Sequence, residues 1–319
     1  MKRAILIASL ILTGLGAGPA HSADKIKVIS SLKGFWDTTL VEYGREKGIF
    51  ADEGLDVEVV FVKGGGDVLQ TVIAGGGDIG VGAGTAGALA AVTKGAPLVI
   101  VGAEFTGASD IFFYAKGSSD IKSFKDLDGK KLGISYPGST TTTIASLLAK
   151  SEDVNIEHVV TGGPPATITQ VMTGQVDAGW SVYPIGLDKV DTGELRIIAS
   201  GNDAPNMASQ NARVSVASKD FAENHTDLLK RFYKAYGKVL DWAYSTDEAL
   251  QKYGDAHQIS LEKARETVQT AYPRRAVETG TIASLDVTMH SAVANKALDR
   301  ALTDEELSEI LRTVKIANE

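Results

Sequence analysis

Apolar positions in this chain fall in short runs bounded by glycine, and the runs alternate with stretches of helical spacing. Ile26 to Ser30 is β-branched and alternating, as a strand requires, Ser31 to Asp37 reads as a loop, and Thr38 to Lys47 has a helical period that stops at Gly48. Leu55 to Val62 predicts a second strand, Lys63-Gly64-Gly65-Gly66 a turn, and Asp67 the N-cap of a helix over Val68 to Ala74. Asp78 to Val81 predicts a third strand, Gly82 to Thr85 a further glycine turn, and Ala86 to Lys94 a helix closed by Gly95. Leu98 to Val101 is a fourth strand. Strands alternating with helices of this length imply βαβ units and a mostly parallel sheet.

The second half echoes the first. Shifted by 99 positions, Val72, Gly75, Asp78 and Gly80 fall on Val171, Gly174, Asp177 and Gly179, and Gly64 falls on Gly163. The strand Leu195 to Ala199 takes the place of Leu98 to Val101, and Arg213 to Ala217 is a returning strand. The expected architecture is α/β in two lobes, each a mostly parallel sheet flanked by helices, with a cleft between their strand C-terminal edges. Beyond Ala217 the pattern is helical. Thr226 caps a run whose Leu228, Leu229, Phe232, Tyr233, Tyr236, Val239, Leu240 and Ala243 form one apolar, core-facing stripe. Helices over Asp247 to His257, Leu261 to Ala271, Leu285 to Leu298 and Asp304 to Thr313 follow and are expected to cover the first lobe. The expected division is residues 24–109 with 211–319 as lobe 1 and 110–210 as lobe 2, after a leader at 1–23.

That leader changes the picture of where the chain works. Met1-Lys2-Arg3, the apolar run Ala4 to Leu15 and the small residues through Ala20 and Ala23 read as a secretory signal peptide. Its removal with Lys2 and Arg3 takes the net charge from -8 to -10. The chain holds no cysteine, which excludes disulfides, thiolate metal sites and a lipid-attachment thiol. An acidic chain without a basic stripe and interleaved aromatics is not a nucleic-acid binder.

Candidate chemistry concentrates at Ser135-Tyr136-Pro137-Gly138-Ser139-Thr140-Thr141-Thr142-Thr143, between the strand Lys131 to Ile134 and the helical run Ile144 to Lys150. Pro137 and Gly138 turn the chain, and the hydroxyl run begins a helix whose free N–H groups and positive dipole end favour an anion, with Ser139 and Thr140 as added donors. Phe35, Trp36, Tyr136, Trp180 and Tyr183 fall in predicted loops at strand ends, where they suit a pocket wall. Glu104, Asp110 and Arg213 lie near the crossings between lobes, as ligand partners or as solvated ions. Gly82-Ala83-Gly84-Thr85-Ala86-Gly87 satisfies G-x-G-x-x-G, with Glu104 beyond it, but 34 glycines make a chance match easy and the third strand is the wrong place for a dinucleotide fingerprint. His158, His225, His257 and His290 lie in separate elements without metal-ligand spacing.

Five segments carry a resemblance: Glu46 to Leu55, Gly75 to Gly80, Lys125 to Lys130, Gly138-Ser139-Thr140 and Gly174 to Trp180. On these the chain resembles, from about Lys25 to Tyr244, the periplasmic substrate-binding proteins of ABC importers related to the sulfonate, taurine and nitrate binders and to the thiamine-pyrimidine synthase fold. The resemblance implies a periplasmic-binding-protein fold of type II and a ligand held by Gly34 to Asp37, by Gly84, Thr85 and Ala86, by Ser139 and Thr140, and by the loop after Trp180. It also implies a cysteine motif for the synthase, which this chain lacks. The expectation is a periplasmic receptor, with no reaction catalysed and no cofactor or metal. Its partners are a small-molecule organic anion (sulfonate, taurine-like or carboxylate) and a membrane ABC permease. No nucleic acid is involved, and the chain acts as a monomer. The competing expectation is a ligand sensor that feeds a chemoreceptor or sensor kinase.

Overall fold

Two aspartates anchor the architecture. Asp78 Oδ2 accepts from the Lys27 N–H at 2.7 Å, and 99 positions on Asp177 Oδ2 accepts from the Lys131 N–H at 2.8 Å, each pinning a strand to the turn that precedes its neighbour. Gly80 and Gly179 repeat the same device. A Cβ on Gly80 would stand 2.6 Å from Val68 Cγ1, and one on Gly179 2.6 Å from Thr167 Cγ2, so in both halves a helix packs directly on a bare strand residue. The internal echo of the sequence is therefore an echo of packing.

The computed structural model describes residues 23–277, 279–294 and 297–313. The expected signal peptide lies outside the described residues but for its last one. In chain order the elements are β1 (Asp24–Ser30), α1 (Trp36–Lys47), β2 (Leu55–Phe61), α2 (Gly65–Ile73), β3 (Ile79–Gly84), α3 (Thr85–Thr93) and β4 (Leu98–Thr106). Then come β5 (Ile111–Lys116), β6 (Lys131–Ile134), α4 (Thr140–Glu152), β7 (Glu157–Val160), α5 (Pro164–Thr173), β8 (Ala178–Val182), α6 (Leu187–Asp191) and β9 (Leu195–Ser200). The chain closes with β10 (Asn211–Ser218), α7 (Lys219–Asn224), α8 (Thr226–Ser245), α9 (Asp247–His257), α10 (Leu261–Ala271), α11 (Leu285–Ala294) and α12 (Asp304–Ile310).

The strands form two sheets, ordered β2-β1-β3-β10-β4 and β7-β6-β8-β5-β9. Each has one strand running against the rest, β10 in the first and β5 in the second. The fold is thus α/β in two lobes. Two short crossings join them, and they are bonded to each other: Gly107 N–H donates to Gln210 O at 2.8 Å and Ala108 N–H to Asn202 Oδ1 at 2.7 Å. Gly107 sits at φ +82°, a conformation that L side chains adopt only with strain.

The stripe on α8 is buried as expected, apart from the half-buried Leu228, and it packs against α1 and β2. Isolated bridges, Ile100 to Leu311 and Phe105 to Val277, tie the C-terminal segment to the first sheet. Several local expectations need correction. Asp67 is not an N-cap, because α2 begins two residues earlier at Gly65 behind Gly64, and its Oδ2 accepts from the Lys63 N–H instead. Thr226 is the first helical residue, with Oγ1 donating back to Ala222 O at 3.0 Å. Gly82 to Gly84 continue β3 as strand.

Candidate functional site

The C-terminal ends of β1, β2, β3, β6 and β8 meet across one cleft, and the loops that leave them line a cavity between the lobes. The first lobe supplies Ser31, Leu32 and Phe35 after β1, Lys63, Gly64 and Gly65 after β2, Gly82 from β3 and Arg213 from β10. The second supplies Ile111, Ser135, Ser139, Thr140, Thr141 and Trp180. The volume open to the centre of a water-sized sphere is about 20 Å³, roughly what one water needs. The lobes are closed on each other.

Ser139 has extended backbone at φ -73° and ψ 164° and caps α4, its Oγ accepting from the Thr142 N–H at 3.3 Å. Ser135 Oγ donates to Ser139 Oγ at 2.8 Å, and Thr141 Oγ1 lies 3.0 Å and 2.9 Å from these two oxygens, so three hydroxyls form a ring at the helix start. Thr140 points across the cleft, and its Oγ1 donates to Ala212 O of the first lobe at 3.2 Å. The start of α2 at Gly65 faces the same space, with no side chain capping it. Two helix N-termini, one from each lobe, therefore bring free N–H groups to one cavity.

Two buried groups on the cavity wall have no partner within the protein: Ser31 Oγ and Trp180 Nε1. The second can only donate. A buried donor left unpaired costs about 1–3 kcal/mol, and here such groups gather around one space. The arrangement suits a ligand that brings acceptor atoms.

Arg213 is held from behind. Its Nε and Nη2 donate to Asp37 Oδ2 at 3.0 and 2.9 Å, and its guanidinium lies between the Phe35 and Phe105 rings, 4.3 and 4.4 Å from their centroids. Nη1 is 2.9 Å from Asp110 Oδ2 but off the line a hydrogen bond needs, so the aligned ion pair is the one with Asp37. Glu104 Oε2 accepts from the Gly82 N–H at 2.6 Å and from Ser215 Oγ at 3.3 Å. Burial, opposed by Arg213, pushes the Asp110 carboxyl up to about 7, and burial with the charge of Asp37 pushes Glu104 well above the usual carboxylate range. Burial works against the Arg213 charge, yet Asp110, Asp37 and Glu104 hold its pKa above the ordinary value. None of the three, Glu104, Asp110 or Arg213, is a solvated surface ion. Glu104 is also spent on the Gly82 backbone.

The expected site residues divide. Phe35, Ser139, Thr140, Trp180 and Arg213 line the cavity. Gly84, Thr85 and Ala86 lie beside it at the lobe contact, where Thr85 Oγ1 donates to Asn211 O at 2.6 Å. Tyr136 is half-buried at the rim against Gly64 and Gly66. Gly34, Trp36 and Tyr183 stand outside the cavity wall. The Trp36 ring is fully buried in the first lobe, edge-on to Tyr253, Tyr244 and Tyr43 at 5.2, 5.8 and 6.5 Å, because helix geometry turns it away from the cleft that its neighbour Phe35 faces. Gly34 and Tyr183 contribute carbonyls that both accept from Tyr253 Oη, at 3.0 and 3.1 Å. Sequence reading placed Ser31 and Lys63 in turns without assigning them to the site; Ser135 and Thr141 fell within its candidate turn, and Asp37, expected at the ligand, stands behind the wall. Among the described residues, no group of three or more His, Cys, Asp and Glu side chains is placed to hold a metal ion.

A family model described as "NMT1/THI5 like" matches residues 37–249, more than half of the chain. No curated protein sequence matches it. Among solved structures, the Candida albicans CA3427 gene product, described as having the generic periplasmic binding protein fold, is 18% identical with a TM-score of 0.74, over 92% of this chain and 99% of that one. The alkanesulfonate-binding protein SsuA from Xanthomonas axonopodis pv. citri, bound to MOPS, is 16% identical with a TM-score of 0.75, over 92% and 100%. The periplasmic nitrate-binding protein NrtA from Synechocystis PCC 6803 is 16% identical with a TM-score of 0.60, over 76% and 69%. At these identities the likeness is one of fold.

Proposed function

Because the chain belongs to the NMT1/THI5-like family, we propose that it is an exported solute receptor that captures a small organic anion between its lobes and delivers it to an ABC importer permease, without catalysing a reaction. The observation that carries this reading is the pair of unpartnered buried groups, Ser31 Oγ and Trp180 Nε1, around a cavity that the start of α4 also faces. We place the lobes at residues 24–109 with 211–319 and at 110–210. A sulfonate or carboxylate head would accept from these donors and from the helix N–H groups, while Phe35 and Trp180 would flank its body. Arg213 already has Asp37 as its counterion, so charge recognition falls mainly to the helix ends and Lys63. The binding of sulfonate and nitrate by proteins of the same fold supports the anionic class.

Calorimetric titration with methanesulfonate, taurine, acetate and nitrate tests this. One of them is expected to bind saturably at one site per chain. A hydrogen bond to a charged acceptor is worth about 1.5–3 kcal/mol, so Ser31→Ala should weaken that ligand by about tenfold or more. Since the Ser31 hydroxyl bonds to nothing in the protein, the melting temperature of the ligand-free variant should not fall. Ser139→Ala differs, because it also removes a cap worth about 1 kcal/mol. If none of the four binds, the anion reading fails.

The cavity is walled by both lobes, so methanesulfonate enters it only when they part. In small-angle scattering, the ligand-free protein is therefore expected to have a larger radius of gyration than the complex, and equal profiles would argue against rigid-body closure.

A further inference from the structure

We propose that Gly87, which does not line the ligand cavity, sets ligand affinity by allowing the lobes to close. A Cβ on Gly87 would stand 2.7 Å from the Gly138 carbonyl oxygen of the opposite lobe, closer than real Cβ atoms come. One on Gly84 would stand 3.2 Å from both the backbone nitrogen and Oγ1 of Thr140. The first turn of α3 and the turn that leads into α4 thus meet backbone to backbone, and the Thr140 Oγ1 bond to Ala212 O crosses the lobes beside them.

The obstructing atom cannot swing aside alone. Gly138 belongs to the turn in which Tyr136 O accepts from the Ser139 N–H at 3.1 Å and from Thr142 Oγ1 at 2.5 Å, and that turn starts α4. Moving the Gly138 carbonyl displaces the helix end that faces the ligand, so the easier relief is for the lobes to stay apart. The sequence points the same way. Gly87 is the third residue of α3, where alanine would favour the helix more, and the close approach of Gly138 accounts for its absence.

This inference rests on the two-lobe receptor reading, and Gly87→Ala tests it with opposed signs. Overpacking a tight contact should weaken methanesulfonate binding by about tenfold or more. The ligand-free melting temperature should hold or rise by about 2 °C, because alanine favours the helix. The chain has no cysteine, so Asp56→Cys and Glu157→Cys give a unique spin-label pair on β2 and β7, the strands farthest in sheet order from the crossings. Gly87→Ala should deplete the short-distance population by the same factor as the affinity. A wild type that ignores methanesulfonate, taurine, acetate and nitrate, with distances that still lengthen in Gly87→Ala, would sink the anion reading and keep this one. Three results overturn the proposal: an unchanged distance distribution, a lowered melting temperature with unchanged affinity, or a wild type with no short-distance population with or without methanesulfonate.

Discussion

Arg213→Leu is expected to lower the melting temperature by roughly 10 °C. The guanidinium is 2% exposed and donates two hydrogen bonds to Asp37 Oδ2, with Asp110 at 2.9 Å on its other side. Its removal leaves the buried Asp37 carboxylate uncompensated, which costs about 3–5 kcal/mol, and in a chain of this size each kcal/mol moves the melting point by about 2–4 °C. Adding Asp37→Asn to Arg213→Leu should recover much of the loss, because a wholly neutral cluster leaves no charge stranded. Scanning calorimetry on the two variants decides the matter. An Arg213→Leu protein that melts with the wild type would mean that the pair is energetically idle.

Stability should fall as pH rises from about 4 to 7. Folded Asp110 holds its proton up to about 7, whereas the unfolded carboxyl releases it near 3.8, so between those values the folded state carries the extra proton. A raised carboxylate contributes its full stability below the unfolded value and loses it as pH climbs through the folded one. At about 1.4 kcal/mol per tenfold change in proton affinity, the displacement bounds the loss at roughly 4 kcal/mol. Glu104, displaced in the same direction, extends the loss upward in pH. Exposed carboxyls held low, Glu306 among them at about 2, act in the opposite sense at lower pH, so the comparison to make is wild type against Asp110→Asn. Denaturant midpoints between pH 4 and 7 should slope downward in the wild type and much less in the variant. Parallel curves would mean that Asp110 is ionised throughout.

Much of the fold was legible because glycine punctuates it. Each of the first four strands follows a turn with glycine in it or opens the chain, and the 99-residue echo is enforced by packing at Gly80 and Gly179. Two strands were not legible. β5, Ile-Phe-Phe-Tyr-Ala-Lys, lies next to the edge of its sheet with both faces buried, and no helix precedes it, so a βαβ template passes over it. β7 is a four-residue edge strand with charged and exposed positions and no alternation to detect. At the site, the Ser139 turn announced itself through local chemistry. The pairing of Asp37 with Arg213 did not, because the two lie 176 positions apart and nothing in Phe35-Trp36-Asp37-Thr38 marks a buried ion pair. The aromatics show the limit most plainly: Phe35 and Trp36 are equivalent in a loop reading, and only the first turn of α1 sends one to the cleft and the other to the core.

Tyr253 Oη touches one carbonyl from each lobe, Gly34 and Tyr183, and Tyr272 Oη donates to Tyr183 as well, at 2.9 Å. If the lobes turn as rigid bodies, an atom travels in proportion to its distance from the axis. The Thr140 bond to Ala212 O, which also joins the lobes, breaks when the mouth opens, whereas a tyrosine pair at the axis keeps its bonds and would serve as the fulcrum of a lever. β2 and β7, at the far ends of the sheet order, would be its long arms, and a small turn at the phenols a wide sweep there. Helices that never reach the ligand would then fix the gearing between them, and a side chain altered at the pivot would change how far the mouth travels without altering the mouth.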